Sequence, residues 1–305
     1  MAKIEPILGR YIWVPYEGTE YRMYFEEAGD PNGIPMICLH TAGTDGREWR
    51  HQLCDEKINQ NFRVIAIDLP RHGKSIPPYE WYQENEEYKL TAKFYSGIVM
   101  AFSKALELDR PVIMGSSMGG NICLHLARDY ENDVRALIAI EACEWSPGWH
   151  LDWLRHAHIH GGEVCATSVF GLMAPQSPDK YRWETWWYYS QGGPGIFKGD
   201  LYFYSFDHDF RGQTEKLSGR VPMYYMTGVY DFACTPEMTE EAAAKTKNSE
   251  CIIMEEIGHF PMSENPEVFN RYLYPVLEKI RAASLERPRR ISATPVQLDG
   301  RALSF

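Results

Sequence analysis

Nowhere in the 305 residues does an uncharged apolar run approach the roughly eighteen that a membrane-spanning helix needs. The first residues, Met1-Ala2-Lys3-Ile4-Glu5-Pro6, are broken by charge and proline, so neither a secretory leader nor a membrane anchor is expected. Runs of Lys and Arg are missing too. With a formal net charge of -11, the chain would repel a phosphate backbone rather than follow it, and nucleic acid is not an expected partner. Cysteine is sparse and irregular: Cys38, Cys54, Cys123, Cys143, Cys165, Cys234 and Cys251 make an odd number with no C-x-x-C spacing. Several lie in apolar strands. The reading is of reduced, buried thiols in a cytoplasmic protein, without a disulfide framework and without a zinc site or other metal. Internal repeats are absent as well.

What is present suits a large mixed domain. Apolar residues make up 44% of the chain, ample for a buried core. Residues 10–16 and 21–27 read as a hairpin around Glu17-Gly18-Thr19-Glu20. After the turn Asp30-Pro31-Asn32-Gly33, the short apolar run 34–39 suits a central parallel strand and ends in His40-Thr41-Ala42-Gly43. A short helix at 47–53 and a strand at 62–69 follow, the latter closing on Asp68-Leu69-Pro70-Arg71-His72-Gly73-Lys74-Ser75. Helical periodicity at 90–106 leads into a strand opened by Pro111. Beyond it the alternation continues as helix 121–130, strand 134–140, strand 221–228, helix 236–245, strand 250–256 and helix 266–283. Such alternation means an α/β fold with a mostly parallel sheet and helices on both faces. Residues 143–219 break the rhythm with a long irregular segment that holds Trp145, Trp149, Trp153, Trp183, Trp186 and Trp187. An insertion there falls over the carboxyl ends of the strands, where open sheets bind ligands, so it reads as a cap. The expected division is a core of residues 1–142 and 220–286, a cap of 143–219, and a C-terminal extension of 287–305.

The densest chemical signal is Gly115-Ser116-Ser117-Met118-Gly119, a G-x-S-x-G between a strand and a helix. A serine at its centre sits on a strained turn whose neighbours must be small. Ser117 is therefore the expected nucleophile, and the Met118 amide, opening the next helix, faces the place where negative charge would develop. Ser116 is off the centre of the five-residue spacing and would point back into the sheet. A serine needs a base, and the base an acid to fix its tautomer. His259 follows the last strand in Glu256-Ile257-Gly258-His259-Phe260-Pro261, and Asp231 follows the preceding one in Thr227-Gly228-Val229-Tyr230-Asp231. Glu141, just after strand 134–140, is the alternative acid. Asp45 and Asp68 read as turn-forming carboxylates, and His40 and His72 as ring anchors of their own loops. The cluster His150, His156, His158 and His160 has the residue type of a metal site but reads as a solvated cap face.

Taken together, the elbow GSSMG, the loops LHTAGTDGREW and DLPRHGKS, the acid loop TGVYDF and the histidine loop IGHFPMSENPE resemble those of the α/β-hydrolase superfamily, over about residues 34 to 270. The HTAGTD loop is similar to that of 3-oxoadipate enol-lactonase-like members. Thr41 departs from the commoner His-Gly loop by standing in the glycine position. The resemblance implies that the Ala42 amide is the second oxyanion donor beside Met118. It also implies a hydrolase of a carboxylic ester or lactone with an aromatic or bulky apolar part, working through Ser117, His259 and Asp231 without a cofactor. The small-molecule substrate would sit under the cap, with some cap aromatics lining an apolar pocket. Arg155, Lys180, Arg182, Lys198 and Arg211 receive no role. The alternatives are a carbon-carbon bond hydrolase, a perhydrolase or a hydroxynitrile lyase on the same triad, or a receptor that retains the scaffold without turnover. Homodimerisation is left open.

Overall fold

A computed structural model describes residues 2–82, 87–156, 158 and 161–286. Its strands are β1 (Leu8–Tyr16), β2 (Thr19–Gly29), β3 (Ile34–Leu39), β4 (Phe62–Ile67), β5 (Val112–Ser116), β6 (Ala136–Ile140), β7 (Met223–Gly228) and β8 (Ser249–Met254). They form one sheet in the order β1-β2-β4-β3-β5-β6-β7-β8. From β4 through β8 every neighbouring pair is parallel, whereas β1 and β2 join antiparallel at one edge. The hairpin is tighter than its sequence suggested: Tyr16 pairs with Thr19, and only Glu17 and Gly18 turn, both at positive φ. Two left-handed residues match the strand twist, which is why so short a link suffices.

The central parallel strands β3, β5 and β6 are apolar almost throughout because both faces are covered. Period-two alternation sends Ile37, Leu39, Ile113, Leu137 and Ala139 to one side. Met36, Cys38, Val112, Met114, Ile138 and Ile140 go to the other. The first face packs against the helices Ala92–Ala105 and Met118–Asp129, the second against the helix Pro266–Leu285 through Phe269, Leu273, Val276 and Ile280. Thr91 caps the first of these helices by accepting from the Phe94 amide at 3.3 Å.

Between β6 and β7 the chain leaves the sheet and builds a cap. The aromatic segment that looked irregular is in fact largely helical, with helices Gly161–Phe170, Asp179–Ser190 and Ile196–Tyr202. Asp179–Ser190 carries almost no amphipathic pattern, since aromatic residues occupy all its faces, and that hides its helical period from the sequence. The C-terminal extension at 287–305 lies outside the described residues. All seven cysteines are free thiols. No helix among the described residues is long and apolar enough to cross a membrane.

Candidate active site

Because β3 to β8 run parallel, the loops leaving their carboxyl ends share one edge of the sheet. Ser117 stands at this edge, between β5 and its helix, at φ 58 and ψ -118. Few non-glycine residues tolerate that backbone; here it is fixed from both sides. The Ser117 amide donates to the Ile140 carbonyl at 2.9 Å, and its carbonyl accepts from the Asn121 amide at 2.8 Å. A Cβ on Gly115 would run into the Gly119 carbonyl, so strand and helix can approach only without one. The spacing G-x-S-x-G is thus a steric requirement of this turn. Met118 opens the helix as its first residue, with Ser117 at the cap position.

Asp231 and His259 leave the ends of β7 and β8. His259 Nδ1 donates to Asp231 Oδ2 at 2.7 Å, and both side chains are buried. The other carboxylate oxygen accepts from the Ala233 amide at 2.7 Å and the Cys234 amide at 3.3 Å. Burial alone would raise the Asp231 carboxyl, but the charge and hydrogen bond of the imidazole hold it below the usual carboxylate range. The histidine loop is tied to the cap, since the His259 amide donates to the Leu172 carbonyl at 3.0 Å. Glu264 clamps the same loop by accepting from the Gly258 amide, with Ser177 Oγ at 3.3 Å.

Glu141, the alternative acid, is also buried at this edge. Its Oε1 accepts from the Gly228 amide at 3.0 Å, and donor atoms of Glu141, Asp231 and His259 all lie within 4.8 Å of one another. Burial and the neighbouring Asp231 push the Glu141 carboxyl well above its usual range. It is Asp231, not Glu141, that forms the short bond to the imidazole.

The loop after β3 shows what Thr41 does in place of glycine. Its amide donates to Glu48 Oε2 at 2.9 Å, and its hydroxyl to Glu48 Oε1 at 2.8 Å, with the Tyr189 hydroxyl of the cap alongside. Burial drives the Glu48 carboxyl up to about 7 even against those donors. On the other side the Gly43 amide donates to Asp200 Oδ2 at 2.7 Å. The amides flanking Ala42 are therefore occupied, while that of Ala42 meets no acceptor among the described residues. Asp200, reaching down from the cap helix Ile196–Tyr202, also accepts from His72 Nε2 at 2.8 Å and the Tyr88 hydroxyl at 3.0 Å. Burial works against a charged His72, but Asp200 outweighs it and raises the imidazole. His40, by contrast, is lowered to about 4 by burial and by His72, and its Nε2 accepts from the Leu69 amide at 3.2 Å. Asp68 pins two turns, taking the Gly46 amide at 2.9 Å and the Lys74 amide at 2.8 Å.

Sequence reasoning did not find Glu48, Asp200 or Glu264 as supports of these loops. Only Asp200 carried a visible signal, a lone acid among the apolar residues of Ile196–Tyr202. The cap aromatics divide. Tyr188, Tyr189, Phe203 and Tyr204 are core, Trp153, Trp183 and Trp187 face solvent, and Trp149 stacks beside Phe232 of the acid loop at 6.2 Å. Three of the six cap tryptophans thus face solvent instead of lining a pocket. Between the loop after β3 and the cap remains a cleft of about 10 Å³ lined by Gly43, Leu154, Cys165, Tyr189, Phe197 and neighbouring glycines. All five cap cations that received no role are paired: Arg155 and Lys198 with Glu87, Lys180 with Glu267, Arg182 with Asp179 and Arg211 with Asp209. His156 and His158 are exposed, and His160 lies outside the described residues.

A parallel sheet with an antiparallel edge, a strained serine turn after β5, an acid after β7 and a histidine after β8 define the α/β-hydrolase fold. Residues 34–163 match the family described as alpha/beta hydrolase fold. Among solved structures, the chain resembles a thermophilic esterase from Thermogutta terrifontis with a TM-score of 0.74 at 21% identity, covering 90% of this chain and 99% of that one. It also resembles the enol-lactonase from Burkholderia xenovorans, with a TM-score of 0.75 at 18% identity over 88% and 100% of the two chains. A 2-hydroxy-6-oxononadienedioate/2-hydroxy-6-oxononatrienedioate hydrolase from Burkholderia vietnamiensis is 28% identical over 136 residues, 44% of each chain. The chain thus spans less than half the length of that relative. It shares the α/β-hydrolase fold.

Proposed function

We propose that the protein is a serine hydrolase of carboxylic esters or lactones with an aromatic or bulky apolar part. Ser117 Oγ attacks the carbonyl carbon while His259 Nε2 takes its proton, and Asp231 holds the imidazole in the Nδ1–H tautomer. The oxyanion that forms is held by the Met118 and Ala42 amides. When the tetrahedral species collapses, the leaving alcohol takes the proton from His259. Water, deprotonated by the same imidazole, then releases the acid from Ser117. The reaction as written needs no cofactor.

One observation carries this reading: the buried 2.7 Å bond from His259 to Asp231, on the sheet edge where Ser117 is held in its left-handed turn. The unengaged Ala42 amide between two occupied ones supports the donor assignment. A second reading retains the triad but cleaves a carbon-carbon bond, and a relative named as a hydrolase of a dienedioate motivates it. Such a dianion would call for free cations, whereas Arg155, Lys180, Arg182, Lys198 and Arg211 of the cap are each matched by a carboxylate, Lys198 by both Glu87 and Asp152. Neutral esters and lactones fit that charge pattern better. Ser117→Ala is expected to lower aryl-ester turnover at least ~10⁴-fold and to abolish labelling by a serine-directed phosphonate. Undiminished labelling of the variant would refute the assignment, and faster turnover of vinylogous diketones than of any ester or lactone would favour the second reading.

A further inference from the structure

Glu141 takes no part in the reaction above, yet its surroundings single it out. The residue follows β6 at φ 49, a left-handed backbone that glutamate rarely adopts, and its side chain is closed off from solvent. While Oε1 receives the Gly228 amide, Oε2 is buried and meets no donor among the described residues. The charged or titratable groups facing it are Asp231, His259 and, further off, Glu264. Two carboxyl groups this close and this dry cannot both be ionised, so one retains a proton. Asp231 is the better-stabilised anion, since the imidazole and two backbone amides already serve it. The proton then belongs to Glu141. An O–H on Oε2 has the neighbouring carboxylate as its acceptor, which accounts for the orphaned oxygen.

We propose that Glu141 is a positioning residue, a neutral carboxylic acid whose O–H donates to Asp231 and fixes that carboxylate against His259. Its kinetic consequence rests on the triad described above; its protonation does not. The direct test is an infrared difference spectrum of the full-length protein at pH 8 between parent and Glu141→Gln, repeated in the Ser117→Ala background. A carbonyl stretch of a protonated carboxylic acid, shifted in D2O and lost in Glu141→Gln, is expected in both backgrounds. Loss of an ionised carboxylate band instead overturns the proposal, even where Ser117→Ala is inactive and the triad stands. The acid band together with an active Ser117→Ala would leave the proposal standing and the hydrolase reading refuted. Kinetics adds a sign. Glu141→Leu removes a donor that stabilises the Asp231 anion, so the acidic limb of the kcat/KM profile moves up by about half a unit to one unit. Glu141→Gln, which still donates, leaves the limb in place. A downward move in both variants would mean that a negative charge had been removed, and would overturn the assignment.

Discussion

Asp200 joins the cap to the loop that carries Ala42, and its removal offers the sharpest test of how the candidate site is held. The carboxylate is fully buried and accepts three hydrogen bonds, from the Gly43 amide, His72 Nε2 and the Tyr88 hydroxyl at 2.7, 2.8 and 3.0 Å. Asp200→Ala strands three buried donors at about 1 to 1.5 kcal/mol each, once partial rehydration of the hole is allowed for, and the loss comes to about 3 to 5 kcal/mol. In urea unfolding this is a midpoint shift of about 1 M or more. Asp200→Asn is the milder variant: its oxygen can face Gly43 and His72 while its amide donates to the Tyr88 oxygen, so the bonds survive and only the charge is lost. The charge shows itself through His72. Because Asp200 raises that imidazole, its contribution is complete below the unfolded value near 6.5 and disappears as pH rises through the folded one. The stability gap between parent and Asp200→Asn should therefore be widest below about pH 6.5 and narrow above it. If Ala42 supplies an oxyanion donor, loosening the adjacent Gly43 should lower kcat by about 10-fold or more, with KM little affected. An Asp200→Ala protein that unfolds within about 0.2 M of the parent, with unaltered kcat, refutes the reasoning.

Two further outcomes follow from packing and burial. Gly115→Ala drives a methyl into the Gly119 backbone carbonyl and should cost about 3 kcal/mol or more, whereas Gly171→Ala, which would meet nothing within 4 Å, should be neutral or slightly stabilising; comparable melting temperatures for the two would contradict the steric account of the elbow. Burial raises Glu264 to about 7, so its protonated form stabilises the fold below about pH 4.5 and that contribution fades as pH climbs through 7. Since the lowered His40, His125 and His208 run in the opposite sense, the useful quantity is the parent's pH dependence minus that of Glu264→Gln. The parent should lose about 3 °C or more relative to the variant between pH 5 and 8, and a flat difference would place the Glu264 proton elsewhere.

The parts of this molecule legible in its sequence are those where one residue type answers one local demand. Gly115 and Gly119 are small because a strand and a helix touch there, and the apolar runs of β3, β5 and β6 are continuous because both faces are covered. That Asp231 and His259 would meet was readable because each follows a strand end in chain order. The cap was readable only as an interruption. Its helices were hidden because Asp179–Ser190 buries Thr185, Tyr188 and Tyr189 while exposing Trp183 and Trp187, so apolar residues do not mark the inner face. The partners of the loop after β3 were hidden for another reason. Glu48 binds Thr41 from seven residues away, but Asp200 and Tyr189 arrive from about 150 residues further on, and no local spacing encodes that meeting.

Those distant partners share a chemistry. The loops at the carboxyl edge of the sheet are held by buried carboxylates: Glu48 and Asp200 on the loop after β3, Asp68 on the turns at Gly46 and Lys74, Glu141 on Gly228, and Glu264 on Gly258. An ionised carboxyl is an acceptor only, able to take several backbone amides at once without bringing a donor that must itself be satisfied. The penalty is desolvation, visible in the upward displacement of Glu48, Asp68 and Glu264 to about 7. Burial favours the protonated form of such anchors, and for Glu141 and Glu264 the geometry allows it. In each, one oxygen receives the amide while the other is buried without a donor. A proton arriving on the second oxygen leaves the amide bond to the first intact, so protonation can neutralise these anchors without releasing the loops they hold. The Asp231 carboxylate is served differently: two amides donate to one oxygen and the imidazole to the other, so three N–H donors favour its anion over its protonated form.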